Sequence, residues 1–196
     1  MPVKVHFIAK RQINCVKIET TRTIDIFCKV FTLQSATIYF TSLTIFRGMF
    51  VKELTIRSTA FQHNSLIPKK YTCDGQEVNP PLTIEGIPKE AKRLALLIED
   101  PDASSGTFDH WVVWNIPPQT TKISENSVPG TEGRNSSSQS GYASPCPPSG
   151  THRYFFKVYA LDIELSLSVE STKKDLENAM QGHIVAKGEL IGLYHR

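Results

Sequence analysis

The sequence predicts a mainly-β protein with one or two short helices. Most of the chain consists of short apolar segments, alternating or continuous, separated by the turn-favouring residues Pro, Gly, Asn and Asp. Helical spacing is confined to residues 173–181, which follow a capping Ser171–Thr172 pair. The apolar face of that helix is formed by Leu176, Ala179 and Met180. With 196 residues, 40% hydrophobic and 21% charged, the chain is typical of one globular domain, with or without an appendage.

The first 48 residues differ from the rest in charge and pattern. They carry seven Lys/Arg against two acids, whereas residues 49–196 carry fifteen against seventeen. Residues 30–46 are uncharged, but they are too polar and slightly too short for a membrane span, and no signal-cleavage motif follows. The regular strand pattern begins at Met49. We interpret residues 1–48 as an N-terminal extension, either disordered or preceding a true start at Met49, and residues 49–196 as one domain.

The charge distribution also bears on partners and location. Because the positive excess lies in the first 48 residues and the remaining domain is nearly neutral, the sequence predicts no nucleic-acid-binding face. With neither a membrane span nor a secretory signal, we predict a cytoplasmic protein without stable membrane insertion.

Three strong strands are predicted in the domain: Arg93–Glu99, buried on both faces, His110–Ile116 and His152–Leu161. Weaker extended segments cover residues 50–56, 79–84 and 183–194, the last interrupted by Gly188 and Gly192.

Side-chain alternation along these strands predicts which residues share a face. It places His110 with Val112 and Trp114, opposite to Trp111 and Val113. In the third strand it places His152 and Tyr154 on the same face.

Acids and imidazoles occur where these strands start or end. Asp100 and Asp102 follow the first strand directly, and Pro101 between them should stop it because proline fixes φ and lacks an N–H. His110 opens the next strand and His152 the third. A carboxylate beside an imidazole favours its protonated form and fixes its tautomer, so these groups suit an anion such as phosphate.

Two groups complete the predicted site. Tyr154 offers a hydroxyl donor, and Pro147–Pro148 would form a rigid wall without N–H groups. The alternative interpretation is structural, with the acids bonding their own turn and the histidines and aromatic residues packed in the core.

The four cysteines predict neither a zinc site nor a disulfide scaffold. They show no C-x-x-C and no zinc-finger spacing with histidine. Cys73 and Cys146 lie in Pro/Gly-rich loops and could pair in an oxidising compartment, but four cysteines in a chain of this length favour free thiols.

Several motifs together resemble the phosphatidylethanolamine-binding protein family, most closely its bacterial and archaeal branch of Raf kinase inhibitor-like proteins. The resemblance spans residues 49–196. The motifs are, in chain order, Asp100–Ala103, His110–Pro117, Gly141–Tyr142 with Pro147–Pro148 and Gly150, His152–Tyr154, and Tyr159–Asp162. The resemblance implies a β-sandwich with few helices and a ligand pocket. The residues that match the family's pocket are Asp100, Asp102, His110, Pro148, His152 and Tyr154.

Three functions remain open at this point. The first is a protein that binds a small phosphate- or carboxylate-bearing ligand. The second is a regulatory module that binds a phosphorylated protein or inhibits a protease, as the resemblance allows. The third is a hydrolase in which Asp100, Asp102, His110 and His152 hold a metal ion that activates water. No metalloprotease, serine-hydrolase, phosphate-loop or dinucleotide motif is present. We therefore predict a binding protein rather than an enzyme, without cofactor or metal.

Overall fold

The computed structural model describes residues 51–196 in full and, before them, the backbone of three strands. These are β1 (Gln12–Glu19), β2 (Thr23–Gln34) and β3 (Thr37–Met49), an antiparallel sheet in the order β1–β2–β3. Contacts divide the chain between Phe50 and Val51 into two units. The interpretation of residues 1–48 as an extension, and of Met49 as the start, stays a prediction and falls in part on residues outside the described ones.

The second unit is built mainly of strands, as predicted. A 3₁₀ turn covers Lys69–Tyr71, and among the described residues α1 (Lys173–Met180) is the sole α-helix. The strands are β4 (Lys52–Glu53), β5 (Thr55–Arg57), β6 (Ser65–Leu66), β7 (Leu82–Glu85), β8 (Arg93–Asp100), β9 (Phe108–Ile116), β10 (Lys122–Ile123), β11 (Thr131–Glu132), β12 (Thr151–Leu161) and β13 (Ile184–His195).

The strands of this unit form two sheets. The larger has seven strands, in the order β11–β9–β8–β12–β13–β4, with β6 also paired to β13. The smaller has three, in the order β10–β7–β5. Strand β8 lies in the middle of the larger sheet and pairs antiparallel with both β9 and β12.

Two apolar clusters cover the two faces of the larger sheet. The first joins it to the smaller sheet, with Ile56 and Ile84 packed in the same cluster as Leu96 and Phe156. The second packs α1 and the loop before it against the other face. Alternate residues of β8 enter the two clusters, so this strand is buried on both faces, as its continuous apolar sequence predicts. The arrangement is a β-sandwich with a helix outside it.

The helix begins where its sequence predicts. The carboxylate of Asp175 accepts hydrogen bonds from both the backbone N–H and the hydroxyl of Thr172, each at 2.8 Å. This capping closes the first turn. Leu176 and Met180 are buried against the larger sheet.

Strand β13 is continuous, so the prediction that Gly188 and Gly192 interrupt it was wrong. Both glycines mark places where another segment approaches the strand closely. A Cβ at Gly188 would lie 2.1 Å from the carbonyl oxygen of Leu54, and one at Gly192 would lie 2.5 Å from the Ile67 side chain. These glycines are required by packing across the strand.

The prediction of free thiols was also wrong for two of the cysteines. Cys73 and Cys146 form a disulfide with a Cα–Cα distance of 5.4 Å. The backbone N–H of Cys73 also donates to the carbonyl of Pro145 at 3.1 Å, so the two loops already touch beside the bond. The sequence does not show that loops 73 residues apart are neighbours.

In the part of the chain that the structure describes, no helix has both the length and the apolar character needed to span a bilayer. The cytoplasmic location stays a prediction.

Removing the disulfide should lower stability. A link between residues 73 positions apart restricts the unfolded chain, and the chain-entropy model assigns this about 4 kcal/mol. The variant Cys73→Ser/Cys146→Ser should therefore lose up to about 4 kcal/mol of unfolding free energy in urea denaturation.

Ser144→Ala is the matched control for this experiment. It removes a single exposed hydrogen bond between the same two loops, from the Ser144 hydroxyl to Glu77 at 2.8 Å. Its loss should stay below about 1 kcal/mol. A double cysteine variant as stable as the wild type would contradict the stabilising role of the disulfide.

Candidate functional site

Three strand ends meet at one edge of the larger sheet. Because β8 runs antiparallel to both neighbours, its C-terminal end lies beside the beginnings of β9 and β12. Asp100 ends β8, and Pro101 follows it in a turn. His110 lies near the start of β9, and His152 near the start of β12. The antiparallel pairing thus gathers the predicted acid and both histidines.

Asp100 is buried and both of its carboxylate oxygens are engaged. Oδ2 accepts a hydrogen bond from Nδ1 of His152 at 2.7 Å, and Oδ1 accepts one from the backbone N–H of Asp102 at 2.8 Å. Asp100 is 3% exposed and His152 9%. A buried carboxylate is stable only when it is paired in this way. The bond to Nδ1 fixes the His152 ring and leaves Nε2 as its free nitrogen.

His110 is the extra residue of a β-bulge. In the β8–β9 register Ile98 pairs with Trp111 but Glu99 pairs with Asp109, which leaves His110 without an opposite residue. The strict alternation of the sequence analysis was therefore wrong at this position. The ring of His110 lies against Tyr154, which belongs to the cluster of Trp111, whereas Val112 belongs to the other cluster. Bulges of this kind redirect a side chain at the end of a strand.

The bulge brings the His110 ring to a backbone carbonyl. Nδ1 lies 2.7 Å from the oxygen of Ala143, and because a carbonyl only accepts, Nδ1 carries the hydrogen. Burial lowers the pKa of His110 below its usual range, although the Ala143 carbonyl and the Asp100 charge act in the opposite direction. The neutral ring then presents the lone pair of Nε2, so the protonated imidazole that the sequence predicts beside a carboxylate is wrong for His110.

Tyr154 is fully buried, and its hydroxyl makes no hydrogen bond of ordinary length and angle in residues 51–196, although Asp100 lies near enough to act on it. Its ring stands edge-on to that of His110, with centroids 5.2 Å apart. Burial, and then the nearby charge of Asp100, raise the pKa of Tyr154 far above its usual range. The hydroxyl therefore stays protonated and can donate. His152 and Tyr154 are both buried, as alternating positions on one face of β12 predict.

Asp102 is paired with a residue that the sequence analysis did not assign to the site. Its carboxylate binds the Arg153 guanidinium through two bonds, of 2.7 and 2.8 Å, and accepts the Arg153 backbone N–H at 3.0 Å. These bonds with Arg153 lower the pKa of Asp102 to about 2. The pair joins the turn after β8 to the start of β12. Arg153 follows His152 directly, and its charge was the only sequence signal for this role.

Pro148, the sixth predicted residue, is exposed, whereas Pro147 beside it is buried. The loop that carries them is tied down at several points. Cys146 is bonded to Cys73, and the hydroxyl of Tyr142 donates to the carbonyl of Tyr71 at 3.0 Å. This loop also provides the carbonyl that orients His110. A backbone group has no sequence signature, so the sequence does not predict this contact.

A second network holds the same strand ends from the other face of the sheet. Glu99 is buried and bonded to Lys157 and Lys173, the latter at 2.6 Å. Burial by itself would raise the pKa of Glu99, but the two lysines lower it. Lys173, from α1, also lies 3.4 Å from Asp109. Glu99 and Asp109 immediately precede Asp100 and His110, so the network fixes the backbone that positions the site.

The arrangement does not resemble a metal centre. In residues 51–196 no group of three or more His, Cys, Asp or Glu side chains is placed to hold a metal ion. Both oxygens of Asp100 and both of Asp102 accept hydrogen bonds, so Nε2 of His110 and Nε2 of His152 are the donor atoms left free among these four predicted residues.

Two surface grooves of the domain lie elsewhere. One runs along β4, β5 and β13, and the other lies beside β7 and Pro118. Neither is lined by any of the six predicted site residues. The candidate site is therefore a set of polar groups at strand ends, separate from both grooves.

Residues 57–195 match the model of the phosphatidylethanolamine-binding protein family. The chain belongs to this family. It is 47% identical over 151 residues to a UPF0098 protein of Methanothermobacter thermautotrophicus, covering 73% of this chain and 99% of that protein. It is 48% identical over 151 residues to a UPF0098 protein of Pyrococcus horikoshii, covering 71% and 75%.

Two crystal structures of family members resemble the domain. A putative phosphatidylethanolamine-binding protein homologue of Chlamydia trachomatis superposes with a TM-score of 0.72 at 40% identity, over 74% of this chain and 99% of that one. YbcL of Escherichia coli, described as a member of the mammalian family, gives a TM-score of 0.68 at 25% identity, over 73% and 98%. The family and the mainly-β fold predicted from the sequence are confirmed.

The buried neutral ring of His110 should make stability depend on pH. In the unfolded chain a histidine titrates near pH 6.5, while the pKa of folded His110 is lower. The unfolded state thus binds more protons, and the stabilising effect present above pH 6.5 is lost as pH falls toward the folded pKa. Between pH 7 and 5 the wild type should lose unfolding free energy more steeply than His110→Gln, by up to about 1.4 kcal/mol per pH unit.

The measurement is urea denaturation at a series of pH values. His183→Gln is the matched control, because His183 bonds Asp162 at 2.9 Å in an exposed pair at the other end of β12. That variant should keep the steep wild-type dependence. Equal slopes for the wild type and His110→Gln would contradict the neutral state of His110.

Proposed function

We propose that this domain is a binding protein for a small anion, a phosphate or carboxylate group. The anion is held by Asp100, His110, His152 and Tyr154, which together are called the strand-end site. The observation that carries the proposal is a set of polar atoms without partners among otherwise paired groups. In residues 51–196 the Tyr154 hydroxyl is unbonded, and the two histidines are bonded through Nδ1 alone. Three polar atoms thus remain available to one ligand.

The cost of leaving a buried hydroxyl unpaired argues for a ligand. An unsatisfied buried donor costs about 1–3 kcal/mol, and phenylalanine in place of Tyr154 would avoid that cost. The Tyr154 ring packs edge-on against that of His110, so the unpaired hydroxyl belongs to a side chain in direct contact with the other predicted site residue. A ligand oxygen that accepts from the hydroxyl would remove the penalty.

The charges around these atoms favour an anion. The carboxylate of Asp102 is neutralised by Arg153, and the oxygens of Asp100 both accept from protein donors. Neither acid is free to bind a cation. Asp100 in turn stabilises positive charge on His152 once an anion lies at Nε2.

The family's name refers to a ligand that contains a phosphate group, and a phosphate group is one of the two anions proposed. We further propose that the role is regulatory, with a phosphorylated protein segment or a protease as the partner, because a site for a phosphate group also accepts a phosphorylated side chain. The metal-assisted hydrolase has less support, since the carboxylate oxygens of Asp100 and Asp102 are committed to hydrogen bonds and the two histidines alone offer free donor atoms.

The proposal predicts that both histidine rings report the same binding event. Titration of the full chain with phosphate or acetate should shift the NMR ring signals of His110 and His152 along one saturable curve. Asp100→Asn should weaken binding by tenfold to about a hundredfold, because a hydrogen bond to a charged group contributes about 1.5–3 kcal/mol. Asp162→Asn, at the exposed His183 pair, should leave the affinity unchanged.

Two outcomes would count against this function. Signals that do not move with either anion would mean that the acids and histidines are structural. Separate binding curves for the two rings would mean that they do not form one site. For the regulatory role, a phosphoserine peptide should compete with phosphate, and failure to compete would overturn that part.

A further inference from the structure

The hydrogen-bonding polarity of the strand-end site restricts the kind of phosphate that it accepts. This inference rests on the proposed anion binding and concerns the proton that the anion carries. The relevant atoms are Nε2 of His110, an acceptor without a partner in the described residues, and the hydroxyl of Tyr154, a donor without one.

The acceptor character of His110 follows from its backbone contact. The Ala143 oxygen can only accept, so the ring hydrogen lies on Nδ1 and the lone pair on Nε2. His110 is 5% exposed, and its burial disfavours a second proton and lowers its pKa. The ring is therefore neutral at physiological pH.

The groups packed around His110 do not supply the missing proton. From β8 it faces Asp100, whose two oxygens already accept hydrogen bonds. From β12 it faces His152 and the ring of Tyr154, and from its own strand the ring of Phe108. Among them the Tyr154 hydroxyl and Nε2 of His152 are without a hydrogen-bond partner in the described residues, and neither is bonded to Nε2 of His110. A ligand at Nε2 must therefore bring its own donor.

Anions differ in whether they carry such a donor. A carboxylate, a sulfate ester, a phosphodiester and a fully ionised phosphate all present acceptors alone. Two acceptors placed together repel and leave each other unsatisfied. A phosphate monoester with one remaining proton has an O–H group together with acceptor oxygens, and its last proton leaves near pH 6.

We propose that the site selects a phosphate monoester in its protonated, singly charged form, whose P–O–H donates to Nε2 of His110 while another oxygen accepts from the Tyr154 hydroxyl. The two rings are in contact, with centroids 5.2 Å apart, so the two side chains are neighbours at the site. Free phosphomonoesters and phosphorylated side chains share this chemistry. The headgroup of an intact phospholipid is a diester and lacks the proton.

The test compares three ligands of equal charge on the full chain. Methyl phosphate at pH 6.5 has a singly charged form with a proton, whereas dimethyl phosphate and methyl sulfate are singly charged without one. We expect methyl phosphate to bind at least about tenfold more tightly than either, because each of the others leaves two acceptors opposed, which costs at least one hydrogen bond. Its affinity should also fall between pH 6.5 and 8, approaching tenfold per pH unit, as the last proton is lost.

Variants separate the two contacts. Tyr154→Phe should weaken all three ligands by a similar factor and keep the preference for methyl phosphate. His110→Ala should reduce that preference to less than about threefold, since one hydrogen-bond acceptor carries it. His183→Gln, at the exposed pair, should alter neither the affinity nor the preference.

Each outcome has one meaning. Equal affinities for the three ligands in the wild type, or an affinity for methyl phosphate that stays constant or rises with pH, would overturn the selection of the protonated monoester and leave anion binding intact. Tighter binding of dimethyl phosphate would overturn it in favour of a lipid headgroup. Absence of binding by all three would overturn the proposed function itself.

A phosphoserine peptide that binds like methyl phosphate, while vesicles of phosphatidylethanolamine do not bind, would identify the source as a phosphorylated protein.

Discussion

The buried carboxylate of Asp100 is the group on which the arrangement of the site depends. A charge that is 3% exposed requires strong donors, and the structure provides one from each side. The turn after β8 contributes the backbone N–H of Asp102, and β12 contributes Nδ1 of His152. The same carboxylate therefore fixes the turn and orients the ring. Removing it would leave two buried donors unpaired, so the fold of this edge and its chemistry are linked.

The surroundings keep this edge rigid from two directions. On the opposite face of the sheet, Glu99 and its two lysines hold the residues next to Asp100 and His110. On the loop side, the Cys73–Cys146 bond restrains the segment that contains Ala143. Affinity for a small ligand depends on such preorganisation, because hydrogen bonds from fixed groups require little ordering when the ligand binds. Neither the Glu99 network nor the disulfide includes the side-chain atoms that we propose to bind the anion.

Sequence patterns correctly predicted the features that depend on residues close together in the chain. They failed for the features that depend on strand register or on contacts between distant loops. The continuous apolar run of β8, its end at Pro101 and the shared face of His152 and Tyr154 are local properties, and the structure agrees with each. The bulge at His110 depends on how β9 pairs with β8, and this pairing cannot be predicted from the alternation of side chains along β9 alone. The Cys73–Cys146 disulfide depends on two loops that the fold brings together. The role of Ala143 depends on its backbone carbonyl, which its side chain does not reveal. The six residues matched to the family's pocket are not equivalent, because Asp102 is paired with Arg153 and Pro148 is exposed.

The inventory of charges also limits how the site achieves selectivity. Its one arginine, Arg153, is held by Asp102 in an exposed pair, so no unpaired guanidinium is directed at the ligand. Charge-assisted contacts from free arginines are the strongest means of holding phosphate, whereas the anion binding that we propose uses a hydroxyl and two imidazoles. In that proposal selectivity rests on the match of donors and acceptors, because a buried polar group left unpaired costs about 1–3 kcal/mol. A protein partner that binds through such a site needs further contacts around the rim for useful affinity, because the phosphate group alone gains little from a weakly charged pocket.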